Sequence, residues 1–181
     1  MASAFSHAVA GLAIGTAFWR PGVPARYWAL GAAVAALPDL DSIGFRFGVA
    51  YGDLLGHRGL THSLLFAAVL SAVVVAIAFP TGAGPISRGQ LWLYFLLATA
   101  SHGLLDAMTN GGLGVAFFAP FDNSRYFFPF TPIQVSPISV RAFFTERGVR
   151  VLTSELVWVW LPATIFAGAV LWLRRTALAG P

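Results

Sequence analysis

The ionisable groups in and beside the chain's long apolar runs gather mostly in four short polar knots. That clustering decides what it can fold into. The knots are His7, Pro38-Asp39-Leu40-Asp41, the stretch His57 to Ser63 (HRGLTHS), and Ser101-His102 through Asp106. Together they hold all four histidines and three of the five aspartates in 181 residues. With 57% hydrophobic and 10% charged residues, there is too little charge to cover a water-soluble domain. The expectation is an integral membrane protein built around a metal site.

Charge and cysteine narrow the classes further. All 11 basic residues are Arg and the net charge is +4. No basic stripe is present, so the charge speaks of membrane topology, and no nucleic-acid partner is expected. Cys is absent, which excludes a disulfide framework and a thiolate metal site. The first 20 residues lack a positive leader region and read as a retained helix.

Apolar runs cover residues 3–19, 27–37, 60–80, 90–109 and 151–173. Crossing a bilayer takes roughly 20 such residues, which the third, fourth and fifth runs supply and the first nearly does. The second, at a rise of about 1.5 Å per residue, covers only about 16 Å. Pro38 and its two aspartates therefore belong below the membrane surface or inside protein, where irregular backbone lines a polar cavity. Residues 110–150 hold Pro120, Pro129, Pro132 and Pro137 among many Phe, the pattern of a folded cap or re-entrant segment. The predicted fold is all-α: a single transmembrane domain over 1–181 with about five helices, one short, and this cap.

Alternating five spans across a bilayer brings the knots together. His7 and His62 start odd spans, while Asp39/Asp41 and His102/Asp106 end even ones, so all lie on one face. The opposite face carries Arg20, Arg26, Arg88, Arg174 and Arg175 and no acid. The positive-inside rule makes that face cytoplasmic. The site then faces outward, with the N-terminus out and the C-terminus in, although six Arg lie on the site's own side.

His102 and Asp106 are spaced i, i+4 and share one helix face. Asp39 and Asp41, at a helix end, can both aim inward or bridge two ions. His57 and His62 flank a short turn. Imidazole with carboxylate and no thiolate suits zinc first, or manganese or iron, and not calcium. Seven candidate ligands (His7, Asp39, Asp41, His57, His62, His102, Asp106) exceed what one zinc needs, which points to two ions. Arg58 and Arg125 could grip a phosphate through their forks of donors, and Asp39 or Asp41 could act as general base. Thr61, Ser63, Ser101 and Asn110 could orient the ligands.

Each group also has a bland reading. His7 could be a core histidine, His102/Asp106 a bundle-stabilising pair, and Asp39/Asp41 a turn cap. Arg58 and Arg125 could contact headgroups, and the Phe-rich stretch reads as a packing belt. An Asp deep in a bilayer costs roughly 2.5–3.5 kcal/mol on insertion scales, so several on one side imply a compensating ion.

The order His, PDLD, HRGLTHS, SHGLLD in a small multi-span chain resembles the YdjM-like family, inner-membrane proteins described as metal-dependent hydrolases. The resemblance runs from His7 to about Arg125 and implies that the seven ligand candidates form the metal centre, in the cytoplasmic membrane of a prokaryote. The His-x3-Asp spacing at His102/Asp106 is also similar to that of zinc-dependent phospholipase C and related nucleases. The expected activity is therefore metal-dependent hydrolysis of a phosphoester, with a phospholipid or other lipid phosphate favoured by access from the bilayer. The alternatives are a structural or regulatory metal-binding protein and, behind it, a metal or proton transporter.

Overall fold

In the computed structural model, which describes residues 1–178, serines open three of the main helices and prolines follow three helix ends. Ser3 caps α1 (Ala4–Phe18), and the chain turns at Pro21 after it. Ser63 caps α3 (Leu64–Ala78), with its hydroxyl 3.1 Å from the Phe66 N–H, and Pro80 follows. Ser87 and Gln90 form a reciprocal capping box at the start of α4 (Arg88–Ala107). Such caps satisfy N–H groups that a helix start leaves without partners. Between α1 and α3 runs α2 (Arg26–Ala36), which tightens at Pro38 into a 3₁₀ stretch, Leu37–Phe47, closed by left-handed Gly48. After α4 come an irregular segment, the short α5 (Val140–Phe143), α6 (Glu146–Glu155), a π-helical turn (Leu156–Trp160) and α7 (Leu161–Leu178). Among the described residues there is no β-strand, only isolated bridges such as Val115 with Tyr126.

α1 packs against α2, α4 and α7, while α4 also meets α2 and α3. One end of this bundle is an apolar core around Tyr27, Val34, Phe79, Leu91, Tyr94 and Phe95. The other end is polar inside: His7, Arg58, His102, Asp106 and Glu155 are all 0% exposed. The outer surface carries large apolar side chains instead, including Val69, Val73 and Ile77 on α3 and Ile165, Trp172 and Leu173 on α7. A polar interior beneath an apolar exterior is the distribution a lipid environment demands.

Of the five expected spans, one is met in full. Glu146–Ala177 is a continuous 32-residue rod and, among the described residues, the one helix long and apolar enough to cross a membrane. It starts five residues before the expected 151, which shortens the cap to residues 108–145. α1 and α3 are apolar but have 15 residues each, or about 22 Å. The cause is local: the first and third runs give up their ends to Ser3 and to the 3₁₀ turn Leu60–His62, both of which build the polar end.

The bundle closes by a close approach at Gly31. A Cβ there would lie 1.7 Å from the Tyr94 hydroxyl. Tyr94 itself stacks on Tyr27 at 4.7 Å, and the Tyr27 hydroxyl donates to the Gly15 carbonyl at 2.7 Å. Gly31→Ala should therefore lower stability by about 1–3 kcal/mol through overpacking. Gly168→Ala, with nothing within 4 Å, should be neutral or slightly stabilising through helix propensity. Thermal unfolding in detergent compares the two, and equal midpoints would remove the packing account.

Candidate metal centre

Four elements deliver donors to one buried point. α1 brings His7, the 3₁₀ stretch after α2 brings Asp39, the turn before α3 brings His57 and His62, and α4 brings His102 and Asp106 one helical turn apart. The six fall into two sets that share Asp39: His7, Asp39, His102 and Asp106, and Asp39, His57 and His62. The His102 Nε2 lies 3.3 Å from Asp39 Oδ1 and 3.0 Å from His62 Nε2. His7 Nε2 is 3.4 Å from Asp106 Oδ1 and 3.8 Å from Asp39 Oδ2, and its ring stacks on His102 at 3.6 Å. Donors bound to one zinc at about 2.0–2.2 Å in a tetrahedron are about 3.3–3.6 Å apart. The observed separations bracket that value.

The hydrogen bonds around the centre set the tautomers. His102 Nδ1 lies 2.7 Å from the Ala35 carbonyl oxygen, which can only accept, so Nδ1 donates. His62 Nδ1 faces Asp41 Oδ2 at 3.2 Å. With both rings neutral, their Nε2 lone pairs would face each other across 3.0 Å, a contact that is repulsive until a cation or a shared proton relieves it. Five further buried atoms of the cluster have no hydrogen-bond partner: Asp39 Oδ1 and Oδ2, His7 Nδ1 and Nε2, and His57 Nε2. A buried carboxylate with neither oxygen satisfied is costly. Divalent cations held by the two sets would answer the Asp39 oxygens and the Nε2 atoms of His7 and His57, so the donor set fits a metal.

Asp41, expected among the ligands or as a base, stands behind them instead. Its oxygens accept from His57 Nδ1 at 2.7 Å, the Thr61 hydroxyl at 2.6 Å and the Arg58 backbone N–H at 3.3 Å, besides facing His62. Burial would raise this carboxyl, but the hydrogen bonds from His57 and His62 outweigh it and hold it well below the usual carboxylate range. Its role is to fix the proton on Nδ1 of two histidines, as carboxylates behind metal-binding imidazoles do.

Arg58 and Arg125 depart from the expected phosphate clamp. Arg58, in a left-handed backbone conformation (φ 64°), is wholly buried. Its Nε donates to Asp106 at 3.0 Å, Nη2 to Thr109, and Nη1 to the Gly111 and Leu113 carbonyls. Arg125 gives both terminal nitrogens to backbone carbonyls of His57, Gly114, Tyr51 and Asp53. Both guanidiniums tie the cap to the histidine turn, because a buried fork of donors is stable only where acceptors meet it. Of the expected orienting residues, Thr61 touches Asp41 and His62. Ser63 caps α3, Ser101 bonds its own helix, and Asn110 joins Gln134 in the cap.

Glu155 was not among the expected residues. It is fully buried and accepts from the Ser3 hydroxyl at 2.6 Å and the Ser6 hydroxyl at 2.8 Å, while Trp160 Nε1 donates to Ser6 at 2.8 Å. These bonds tie the final helix to the start of α1, next to His7. The available signal was a lone acid in the apolar run 151–173.

Asp39→Asn should abolish tight metal binding, and Asp41→Asn should weaken it about 10–100-fold as the histidines lose their orienting partner. Competition against a chromogenic chelator reads both. Unchanged affinity in Asp41→Asn would remove its assigned role.

Comparison with known proteins matches this chain to the family described as YdjM inner membrane protein, over residues 1–177. The inner membrane protein YbcI of Escherichia coli (strain K12) is 39% identical, covering 97% of this chain and 100% of that protein. No solved structure matches. Both descriptions point to the inner membrane and neither states a reaction. On the whole-chain match and the 39% identity, this chain belongs to the YdjM inner membrane protein family.

Proposed function

We propose that the protein is a membrane-embedded, metal-dependent hydrolase of phosphoesters, with a phospholipid or other lipid phosphate as substrate. The observation that carries this reading is Asp39, buried with both oxygens unpartnered and shared between the two donor sets. A carboxylate so placed can bridge two divalent ions, zinc by preference. The chemistry such ions supply is polarisation of a phosphoryl oxygen and activation of a water near neutral pH.

The chain's own groups complete the chemistry. Asp41 keeps the proton of His57 on Nδ1, leaving the unpartnered Nε2 as a ligand or as acceptor of the water's proton. Hydrolysis forms a bond from water oxygen to phosphorus, breaks the bond to the leaving alkoxide and returns a proton to it. A groove of about 340 Å³ lies over this end, lined by Thr109, Asn110, Gly111, Gly112, Phe127 and Thr131. Thr109 and Gly111 are also partners of Arg58, which links the groove to Asp106. Exposed Phe47, Leu55 and Phe121 give this end an apolar rim suited to lipid. With Arg58 and Arg125 engaged inside, Arg46, Arg141, Arg147 and Arg150 remain on the site face against five on the other. That balance supports a site facing away from the cytoplasm.

A second reading, a structural metal that locks the helices, is favoured by burial. The paired histidine and aspartate side chains are at most 8% exposed, as in a closed coordination sphere.

Metal content by mass spectrometry and a phosphodiester assay on detergent-purified protein separate the two, with His102→Ala/Asp106→Ala alongside and its fold checked by circular dichroism. Near two equivalents of metal, lost in the variant together with turnover, are the expected result. Stoichiometric metal without turnover on any phosphoester or lipid phosphate leaves the structural role. No metal above background, even after loading with zinc or manganese, would overturn both.

A further inference from the structure

The far end of α1 from His7 holds a second polar feature, independent of the metal centre. The last carbonyls of a helix lack intrahelical partners and carry the negative end of its dipole. At the end of α1, Arg174 of α7 donates to the Ala17 and Trp19 carbonyls. Arg20 Nη1 donates to the same Trp19 oxygen at 3.0 Å. Two guanidiniums thus converge on one neutral oxygen, and Arg175 lines the same cavity. Among the described residues the arginine ion pairs are Arg58 with Asp106 and Arg150 with Glu146, so none of these three cations has a carboxylate.

The cavity measures about 790 Å³, and its other walls are Trp19, Pro21, Leu171 and Ala177. It is therefore basic at one side and apolar at the other. It lies at the end of the one helix long enough to cross the bilayer, where exposed Trp172 and Leu173 continue the apolar surface. Three cations around one space favour an anion, and a phosphate accepts the fork of a guanidinium directly. The apolar walls and the opening onto a lipid-facing helix select an anion that carries hydrocarbon. We propose that this cavity binds the headgroup of an anionic diacyl phospholipid, with Arg20 and Arg175 on the phosphate and an acyl chain along Leu171. Arg174, committed to the α1 carbonyls, sets the depth of the site. The lipid here is a bound partner rather than a substrate, since among the described residues no nucleophile or metal-binding group lines the cavity.

The test is native mass spectrometry of the full chain in detergent, titrated with phosphatidylglycerol and with phosphatidylcholine. Wild type should bind phosphatidylglycerol at least about tenfold more tightly. Each basic residue near an anionic lipid surface contributes a factor of about five, so Arg20→Gln/Arg175→Gln should erase most of that preference. Arg175→Gln alone should give an intermediate loss. Arg26→Gln/Arg88→Gln, which changes the same face outside the cavity, should keep the preference. Equal binding of the two lipids by wild type would overturn the proposal, as would an equal loss in the Arg26/Arg88 variant. Millimolar glycerol phosphate should fail to compete; if it displaces the lipid, the site reads phosphate alone and the lipid assignment falls.

Discussion

Asp39 sits within reach of three imidazoles, almost fully buried, and neither of its oxygens has a hydrogen-bond donor. In a low-dielectric interior an unpaired carboxylate is among the most expensive groups a protein can hold. The elements around it are arranged to supply what it lacks. Each contributes a nitrogen or oxygen to the same point, while a second layer of Ala35, Asp41 and Thr61 fixes the direction of His102, His57 and His62. Arg58 balances Asp106 from the other side.

That convergence explains the unusual helix lengths. α1 and α3 stop short of a bilayer's thickness because their ends are given over to caps and turns that carry the cluster. Irregular backbone at such a depth is tolerable only under protein cover. The cap provides it: Arg58 donates to Gly111 and Leu113, the Ala116 N–H donates back to the Arg58 carbonyl, and the Leu64 N–H reaches Phe117. The final helix, free of this duty, runs the full distance and is held to α1 at both ends, by Glu155 near His7 and by Arg174 at Trp19. One end of the molecule gathers the carboxylates and imidazoles that could hold a metal ion, and the other carries five arginines and no Asp or Glu, the setting of the proposed lipid site.

Much of this was legible in the residues. The i, i+4 spacing of His102 and Asp106 places both on one face of α4, and both are buried there. The PDLD turn after a helix too short to span is the observed 3₁₀ stretch. The roles of Asp41, Arg58 and Arg125 were not legible. A carboxylate one residue from a ligand, or an arginine beside one, has the same sequence signature whether it faces the centre or supports it from behind. Only the Nδ1 contacts of Asp41 and the occupied donors of the two arginines distinguish these cases. Glu155 was missed because its partners, Ser3 and Ser6, lie about 150 residues away in the chain.

The sequence by itself determined the all-helical class, the gathering of the histidines and three aspartates at one end, and the absence of Asp and Glu from the other. These follow from periodicity, the thickness of a bilayer and the cost of charge within it, all of which act locally. The tertiary structure decided which donors face the centre, which stand behind it, and that two guanidiniums meet at one carbonyl. Those outcomes depend on side-chain directions set by packing between distant segments, where a rotation of one ring exchanges a ligand for a support.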